Sequence, residues 1–301
     1  INGQYIGVLN VREPNNKHYV DANYGWDSDE IDLFEISPDS FYVQKCGDDQ
    51  VYQRLVSLSA YAADADVYEE IRKLLDVDEY ANYMAVQLYT GNWDWPQNNV
   101  KGFRDQNDGK FHFVLFDLDG VLSTNTPFDT FFGKETYTFD TLHGFDYSKN
   151  ENVEGQHVRA KIQFVTLFKN LLKNETFRKQ FIDTYCIVGG SVFKAAHVKS
   201  IITEMRDYLA QGNYVSPQNT ANTLISSFTS TYNSNLVNQL KNCTHMQLKS
   251  VTRRPATIAT NVPEAKVLID GIELPYSDFD GYLFPPVTLT AEVGMVFEIV
   301  L

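Results

Sequence analysis

The stretch Asn92-Trp93-Asp94-Trp95-Pro96-Gln97-Asn98-Asn99, with KFHFVLFDLDGVL behind it at residues 110–122, decides how this chain reads. Ahead of it, residues 66–75 and 78–90 carry helical periodicity. In the second, Tyr80, Met84 and Leu88, with Tyr83 and Val86, recur at i, i+3, i+4 spacing. Asp78 is a candidate cap for that helix and Gly91 its stop signal. Residues 92–104 then form a loop thrown off a helix end. Asp108-Gly109 signals a hairpin turn. Lys110 to Leu118 alternates and then becomes wholly apolar, which predicts a buried strand with Asp117 and Asp119 at its tip. A hairpin returns the chain to its starting point, so Asp94, Asn99, Asp117 and Asp119 are expected to converge.

Outward from this centre, residues 1–13 read as two short strands about an Asn2-Gly3 turn. Residues 15–50 are mixed, acidic and interrupted by Pro38 and Gly47. A long irregular stretch, rich in Thr, Phe, Tyr and Gly, follows Asp119 to about Asn152; a loop of that length is functional or a lid. Residues 158–185, 191–211 and 217–241 read as helices, the last opened by Ser216-Pro217. Near Thr252 the composition turns β-like. RRPATIAT, KVLIDGIEL with an Asp270-Gly271 turn, VTLTAE and MVFEIVL predict a small all-β module over 253–301 with few ties to the rest.

The 301 residues are 43% hydrophobic and 14% aromatic, enough for a substantial core and too apolar for a disordered chain. Lys plus Arg number 25 against 39 Asp plus Glu, a net charge of −14. With no basic cluster, nucleic acid is excluded as a partner held through its phosphates. A nucleotide remains compatible where a divalent cation neutralises local carboxylates. No apolar run is long enough for a transmembrane helix. Cys46, Cys186 and Cys243 lack CxxC spacing and read as buried free thiols rather than a disulfide or zinc framework. The six His show no HExxH or H-x-H spacing, and no GxGxxG is present.

Convergent carboxylates with a carboxamide suit phosphoryl transfer: one carboxylate accepts the acceptor's hydroxyl proton, while an Asn and a second carboxylate hold Mg²⁺ on the phosphates. An Asp after a helix with an Asn nearby is also ordinary loop chemistry. Carboxylates beside a buried apolar run, however, call for a cation or hydrogen-bond donors. The protein-kinase order is H-R-D-x-x-x-x-N, a short hairpin, then D-F-G. Asn92-Trp93-Asp94 stands where H-R-D would, Asn99 takes the Asn place, and Asp117-Leu118-Asp119-Gly120 takes the D-F-G place.

Over about residues 1–250 the chain resembles the CotH kinase family, atypical protein kinases first known from bacterial spore coats. INGQYIGVLNVREP looks like that family's opening hairpin, and GNWDWPQNNVKGFRD with GKFHFVLFDLDGVLS looks like its catalytic segment. FKNLLKNETFRKQFIDTY looks like part of its C-lobe. The resemblance implies an α+β, protein-kinase-like fold: a mostly α C-terminal lobe with small β hairpins, followed here by the all-β module. It implies ATP with Mg²⁺ or Mn²⁺, transfer to hydroxyls on a protein substrate, and a bacterial, extracytoplasmic setting (secreted, periplasmic or cell surface). Carried over by position, Asp94 is the catalytic base, and Asn99 and Asp117 are metal ligands. Asp119 is a second acidic contact to metal or nucleotide, and Glu13 is the acidic residue that positions the nucleotide lysine. The chain opens inside the hairpin at Ile1, so the expectation is an N-terminally incomplete kinase domain. The phosphate-binding strands belong upstream, and neither Lys17 nor Lys45 is expected on a strand like V-A-I-K.

Two other readings compete. FDLDGVL, residues 116–122, also looks like the first motif of the haloacid dehalogenase phosphatases, with Asp117 as nucleophile and Asp119 as acid/base. That motif belongs at the end of the first strand of a doubly wound sheet, and no β-α alternation surrounds it here. The other alternative is a non-catalytic extracytoplasmic binding protein with a degenerate kinase fold.

Overall fold

The computed structural model describes residues 12–37, 41–107, 109–122, 124–135, 163–211, 217–228, 231–260, 262, 265–291 and 297–300. The expected opening hairpin at 1–13, apart from its last two residues, lies outside them, as do Asp108, Ser216 and most of the irregular stretch after Lys134. The fold is mixed helix and antiparallel sheet, as the α+β reading required. Its contacts gather into two compact units.

The first unit comprises residues 15–188 and 238–252. It holds α1 (Lys17–Tyr24), β1 (Ile31–Ser37), β2 (Phe41–Cys46), α2 (Gln50–Ser59), α3 (Ala65–Leu74), α4 (Val77–Thr90), β3 (Val100–Asp105) and β4 (His112–Phe113). After these come α5 (Pro127–Gly133), α6 (helical residues 163–171) and α7 (Glu175–Ile187). The strands form one antiparallel sheet in the order β2-β1-β3-β4.

Residues 15–50, which give no clear pattern in sequence, contain two of these strands. The reason is Asp32. It interrupts the apolar alternation of β1, yet it is 3% exposed. In the β1–β3 register it faces Arg104, 7% exposed, and the two meet at 3.0 Å. Gln106 Nε2 and the Asp48 N–H also donate to Asp32, each at 3.0 Å. Arg104 in turn donates to the carbonyls of Gln106 and Gly109, so one guanidinium closes the β3–β4 turn from beneath. Beside this pair Phe34 faces Gly102, where any Cβ would sit 2.4 Å from the Phe34 ring. That face carries Tyr52 and Phe113 onto Phe34. The opposite face packs Ile31, Leu33 and Phe103 with Val20 of α1 and Val114.

α4 is the central helix, with Tyr80, Tyr83, Met84, Leu88 and Tyr89 all buried. Its cap is Asp76 rather than the expected Asp78: Asp76 accepts from the Glu79 N–H at 3.0 Å. Asp78 instead lies in the first turn and accepts from Gln180. Gly91 ends the helix as anticipated, left-handed at φ 62°, the conformation a glycine adopts without Cβ strain. The expected strand over 110–118 is cut to two paired residues. Val114 is buried but donates to the Lys101 carbonyl outside the ladder, and Asp117 is itself left-handed at φ 53°.

The second unit comprises residues 189–237 and 253–301, with the chain's first 14 residues. It contains α8 (Ala195–Gln211), α9 (Pro217–Ser227) and most of α10 (Tyr232–Asn242), then β5 (Arg254–Thr260), β6 (Val267–Ile269) and β7 (Ile272–Glu273). β8 (Phe279–Leu283), β9 (Leu289–Ala291) and β10 (Phe297–Val300) complete it. Two antiparallel sheets run β10-β5-β8 and β7-β6-β9. Asp270 and Gly271, at φ 49° and 83°, make the anticipated tight turn of β6–β7.

The β segment begins where the composition changes, but it does not stand apart from the helices as expected. Lys194 pairs with Asp278 at 2.6 Å, and Arg253 donates to the Ser234 carbonyl while lying over the Tyr282 ring. The Phe279 ring fills the space a side chain at Gly190 would need. A composition shift marks a change of secondary structure, which is not the same as a boundary in packing.

Two predictions follow from the first unit. Arg104→Met leaves Asp32 buried without its cation and is expected to lower unfolding stability by about 3 kcal/mol in urea titration. Burial raises the Cys243 thiol to about 11 and pushes Cys186 up further, whereas Cys46 is half-buried. At pH 8 only about one in 10³ Cys243 side chains is thiolate. Native protein should therefore label at Cys46 first, and all three thiols should label at once only in denaturant.

Candidate functional site

The loop after α4 is held by its own side chains. Asn92, buried, donates to Gln87 Oε1 at 3.0 Å and accepts from the Asp94 N–H at 3.2 Å. Trp95 is 1% exposed; its indole N–H donates to Tyr83 Oη at 2.8 Å, and its ring stacks on Phe131 at 5.0 Å. Burial also pushes the Tyr83 phenol above its ordinary range, so it stays neutral and able to accept that bond. Between these anchors Asp94 accepts three side-chain amides. Asn98 and Asn99 donate to Oδ2 at 3.1 and 3.2 Å, and Gln97 donates to Oδ1 at 3.4 Å. Asn99 takes the left-handed conformation at φ 59°, which turns its amide back onto Asp94 as β3 begins.

The second motif runs along this loop. The Trp93 N–H donates to the Gly120 carbonyl at 3.2 Å, and the Leu122 N–H to the Thr90 carbonyl at 2.5 Å. Gly120 allows this approach: a Cβ there would lie 3.0 Å from Asn92 Oδ1 and 3.1 Å from Trp93 Nε1. Asp117 precedes a 3₁₀ turn over Leu118–Gly120, and both Asp117 and Asp119 are exposed. Neither has a hydrogen-bond or ion-pair partner among the described residues. Free carboxylate oxygens, with the carboxamide oxygen of Asn99 (whose nitrogen is spent on Asp94), are the hard donors that Mg²⁺ or Mn²⁺ takes while keeping several waters.

Asp94 and Asn99 are therefore in direct contact, and Asp117 and Asp119 lie on the stretch bonded to their loop. The three carboxylates Asp94, Asp117 and Asp119 are not drawn into one tight cluster. Among the described residues, the one trio of His, Cys, Asp or Glu with ligand atoms within 4.8 Å of one another is Asp76, Glu79 and His112. There Asp76 caps α4, and Glu79 bonds His112 Nδ1 and accepts the Phe113 N–H, which ties α4 to β4.

The family model described as "CotH kinase protein" matches residues 1–251. The chain belongs to the CotH kinase family. Neither curated proteins nor solved structures gave a match. The CotH match covers both acidic motifs and ends before the β segment begins at Arg254.

Of the residues that the CotH resemblance singled out, Glu13 is exposed and falls in the second unit, while Asp94, Asn99, Asp117 and Asp119 fall in the first. Lys17 lies on α1, paired with Asp29. Lys45 lies on a strand, β2, whose sequence FYVQKC is not V-A-I-K, and it pairs with Glu35 at 3.2 Å. Two cations at the site escaped the sequence reading. Lys101 lies 4.7 Å over the Phe116 ring, next to Asp117. Lys134 is buried beneath the Asp94 loop and donates to the carbonyls of Trp93 and Trp95, each at 2.5 Å. The only sequence signal for Lys134 was a lysine directly after a short apolar helix. No helix among the described residues is long and apolar enough to cross a membrane.

Because Asp94 satisfies amides of the buried Gln97 and Asn99, Asp94→Ala strands those donors and is expected to cost about 1–3 kcal/mol. Asp119→Ala, at an exposed carboxylate, should stay within about 0.5 kcal/mol of the parent. Thermal and urea unfolding of the two variants side by side checks this contrast.

Proposed function

We propose that this chain is a kinase-like protein that transfers the γ-phosphoryl group of ATP to a hydroxyl on a protein substrate, with Mg²⁺ or Mn²⁺ required. The observation that carries the reading is the Asp94–Asn99 contact on a loop hydrogen-bonded to Gly120 and Leu122, directly after the Asp117–Asp119 stretch. This is the kinase order of base, Asn and metal carboxylate, set on two adjacent backbone segments. The proposed fold is accordingly protein-kinase-like, with α4 leading into the catalytic loop and the β3–β4 hairpin separating the two motifs.

In this reading Asp94 accepts the acceptor's hydroxyl proton. Its amide donors from Gln97, Asn98 and Asn99 fix the carboxylate's orientation and leave its remaining lone pairs for the incoming hydroxyl. Asn99, Asp117 and Asp119 would hold the divalent cation, which supplies charge neutralisation for the transferred phosphoryl group. Glu13 is proposed as the carboxylate that positions a nucleotide-binding lysine. The setting proposed with the family is bacterial and extracytoplasmic.

A second reading, a binding protein with a degenerate kinase fold, draws support from the exposure of Asp117 and Asp119 and from their failure to cluster tightly with Asp94. The phosphatase reading loses support. Its nucleophile must end a strand of a doubly wound parallel sheet, whereas this sheet is antiparallel and residues 114–117 lie outside it.

Labelled ATP with Mg²⁺ or Mn²⁺ tests the assignment. Asp117→Asn should abolish label transfer. Asp94→Asn should lower kcat by about 10²–10⁴ while nucleotide affinity is kept, because a base acts on the acceptor and not on the phosphates. Transfer that survives Asp117→Asn would sink this site. A water-labile phosphoenzyme on Asp117 would restore the phosphatase reading, and absence of nucleotide binding would favour the binding protein.

A further inference from the structure

We infer that Lys134 is a positioning residue for the Asp94 loop: its buried ammonium clamps the two carbonyls that flank Asp94 and so sets the direction of the carboxylate. The inference rests on the kinase-like reading for what the carboxylate does, and on geometry alone for the clamp. Lys134 is 4% exposed. An ammonium taken out of water is costly unless hydrogen bonds replace its hydration.

What the ammonium provides is two convergent donors. Trp93 and Trp95 are the residues on either side of Asp94, and their carbonyls meet on one nitrogen at 2.5 Å each. Fixing both carbonyls fixes the Trp93–Asp94 peptide plane and the Trp95–Pro96 plane one residue beyond Asp94, which restricts the backbone on both sides of it. The Trp93 carbonyl also accepts Gln97 Nε2 at 2.9 Å, and Gln97 is one of the donors to the Asp94 carboxylate. The clamp therefore reaches the carboxylate by two routes, through the backbone and through Gln97.

The far end of the clamp is firm. Lys134 closes α5, and its own N–H donates to the Phe131 carbonyl at 3.2 Å. Phe131 stacks on Trp95, the second residue whose carbonyl Lys134 holds. The next residue, Glu135, pairs with Lys169 of α6 at 2.8 Å and accepts from Thr166 at 3.3 Å. The segment after the second acidic motif is thus anchored to α6 and in turn holds the first motif.

The test uses the chain carrying Lys134→Met, which keeps the apolar stem and removes the charge and its donors. Hydrogen exchange of the amides in 93–99 should rise about tenfold or more while α4 amides stay protected. In the labelled-ATP assay kcat should fall by about 10²-fold with KM for ATP unchanged, the signature of a displaced base rather than a lost nucleotide site. Lys134→Gln, which retains a neutral donor, should lie between Met and the parent in both readouts. Unchanged exchange at 93–99 in Lys134→Met overturns the clamp whatever the activity. Unfolding of both variants overturns it too, by making Lys134 a general stability residue. If the parent transfers no phosphoryl group, the kinase-like reading fails alone, and the exchange measurement still decides the clamp.

Discussion

Two backbone hydrogen bonds hold the candidate site together, from Leu122 N–H to the Thr90 carbonyl and from Trp93 N–H to the Gly120 carbonyl. They answer a need created by α4. A buried helix that stops at a left-handed glycine leaves the following peptide groups inside the protein without a ladder to join, and buried backbone groups must find partners. The chain returning from the β3–β4 hairpin supplies them. Asp94 follows one bonded residue and Asp119 precedes another, so pairing the two backbones also brings the two acidic motifs side by side. The closeness is eased by the lack of a side chain at residue 120, where a Cβ would crowd Asn92 and Trp93.

The same need explains which parts of the fold could be read from the sequence. α4, its stop at Gly91 and the Asp270-Gly271 turn were legible because periodicity and left-handed glycine signals are local. β1 was not, because Asp32 breaks its apolar pattern and is satisfied only by Arg104, a partner on another strand. The apolar run at 110–118 was misjudged in a related way. Apolarity reports burial, and Val114 is buried, but its N–H leaves the ladder for the Lys101 carbonyl. Of the strands after Thr252, β5, β6, β7, β9 and β10 were legible individually, whereas β8, with its central Gly281, was not. Their packing against residues 189–237 was not, since it rests on an ion pair and a phenylalanine filling the gap at a glycine.

At the site the division falls in the same place. Asp94 with Asn99 was readable because a short loop brings its own ends together. The role of Gln97 and Asn98 as further donors to Asp94 belongs to that loop as well, although only the folded geometry shows it. Lys134 comes from beyond the second motif, and nothing in its neighbourhood announces a partner. The Asp76, Glu79 and His112 trio is of this kind also. A helix cap, a residue of the first turn and a strand residue meet only once α4 has packed on β4.

Arg104 and Lys134 are alike in their use. Helices and strands satisfy their own carbonyls, so a buried cation inside regular structure has no backbone to serve. An irregular segment is different: its carbonyls point in several directions, and the several donors of a Lys or Arg side chain can gather them. Arg104 collects the carbonyls of Gln106 and Gly109 at the hairpin turn, and Lys134 collects those of Trp93 and Trp95 beside Asp94. Each ties the carbonyls of a loop to the elements around it, Arg104 while also pairing with Asp32. The β3–β4 turn sets where the second motif returns, and the Asp94 loop sets where the first one points. The two buried cations thus hold both backbone segments of the candidate site from beneath, while Asp94 adds its own bonds to the amides of its loop.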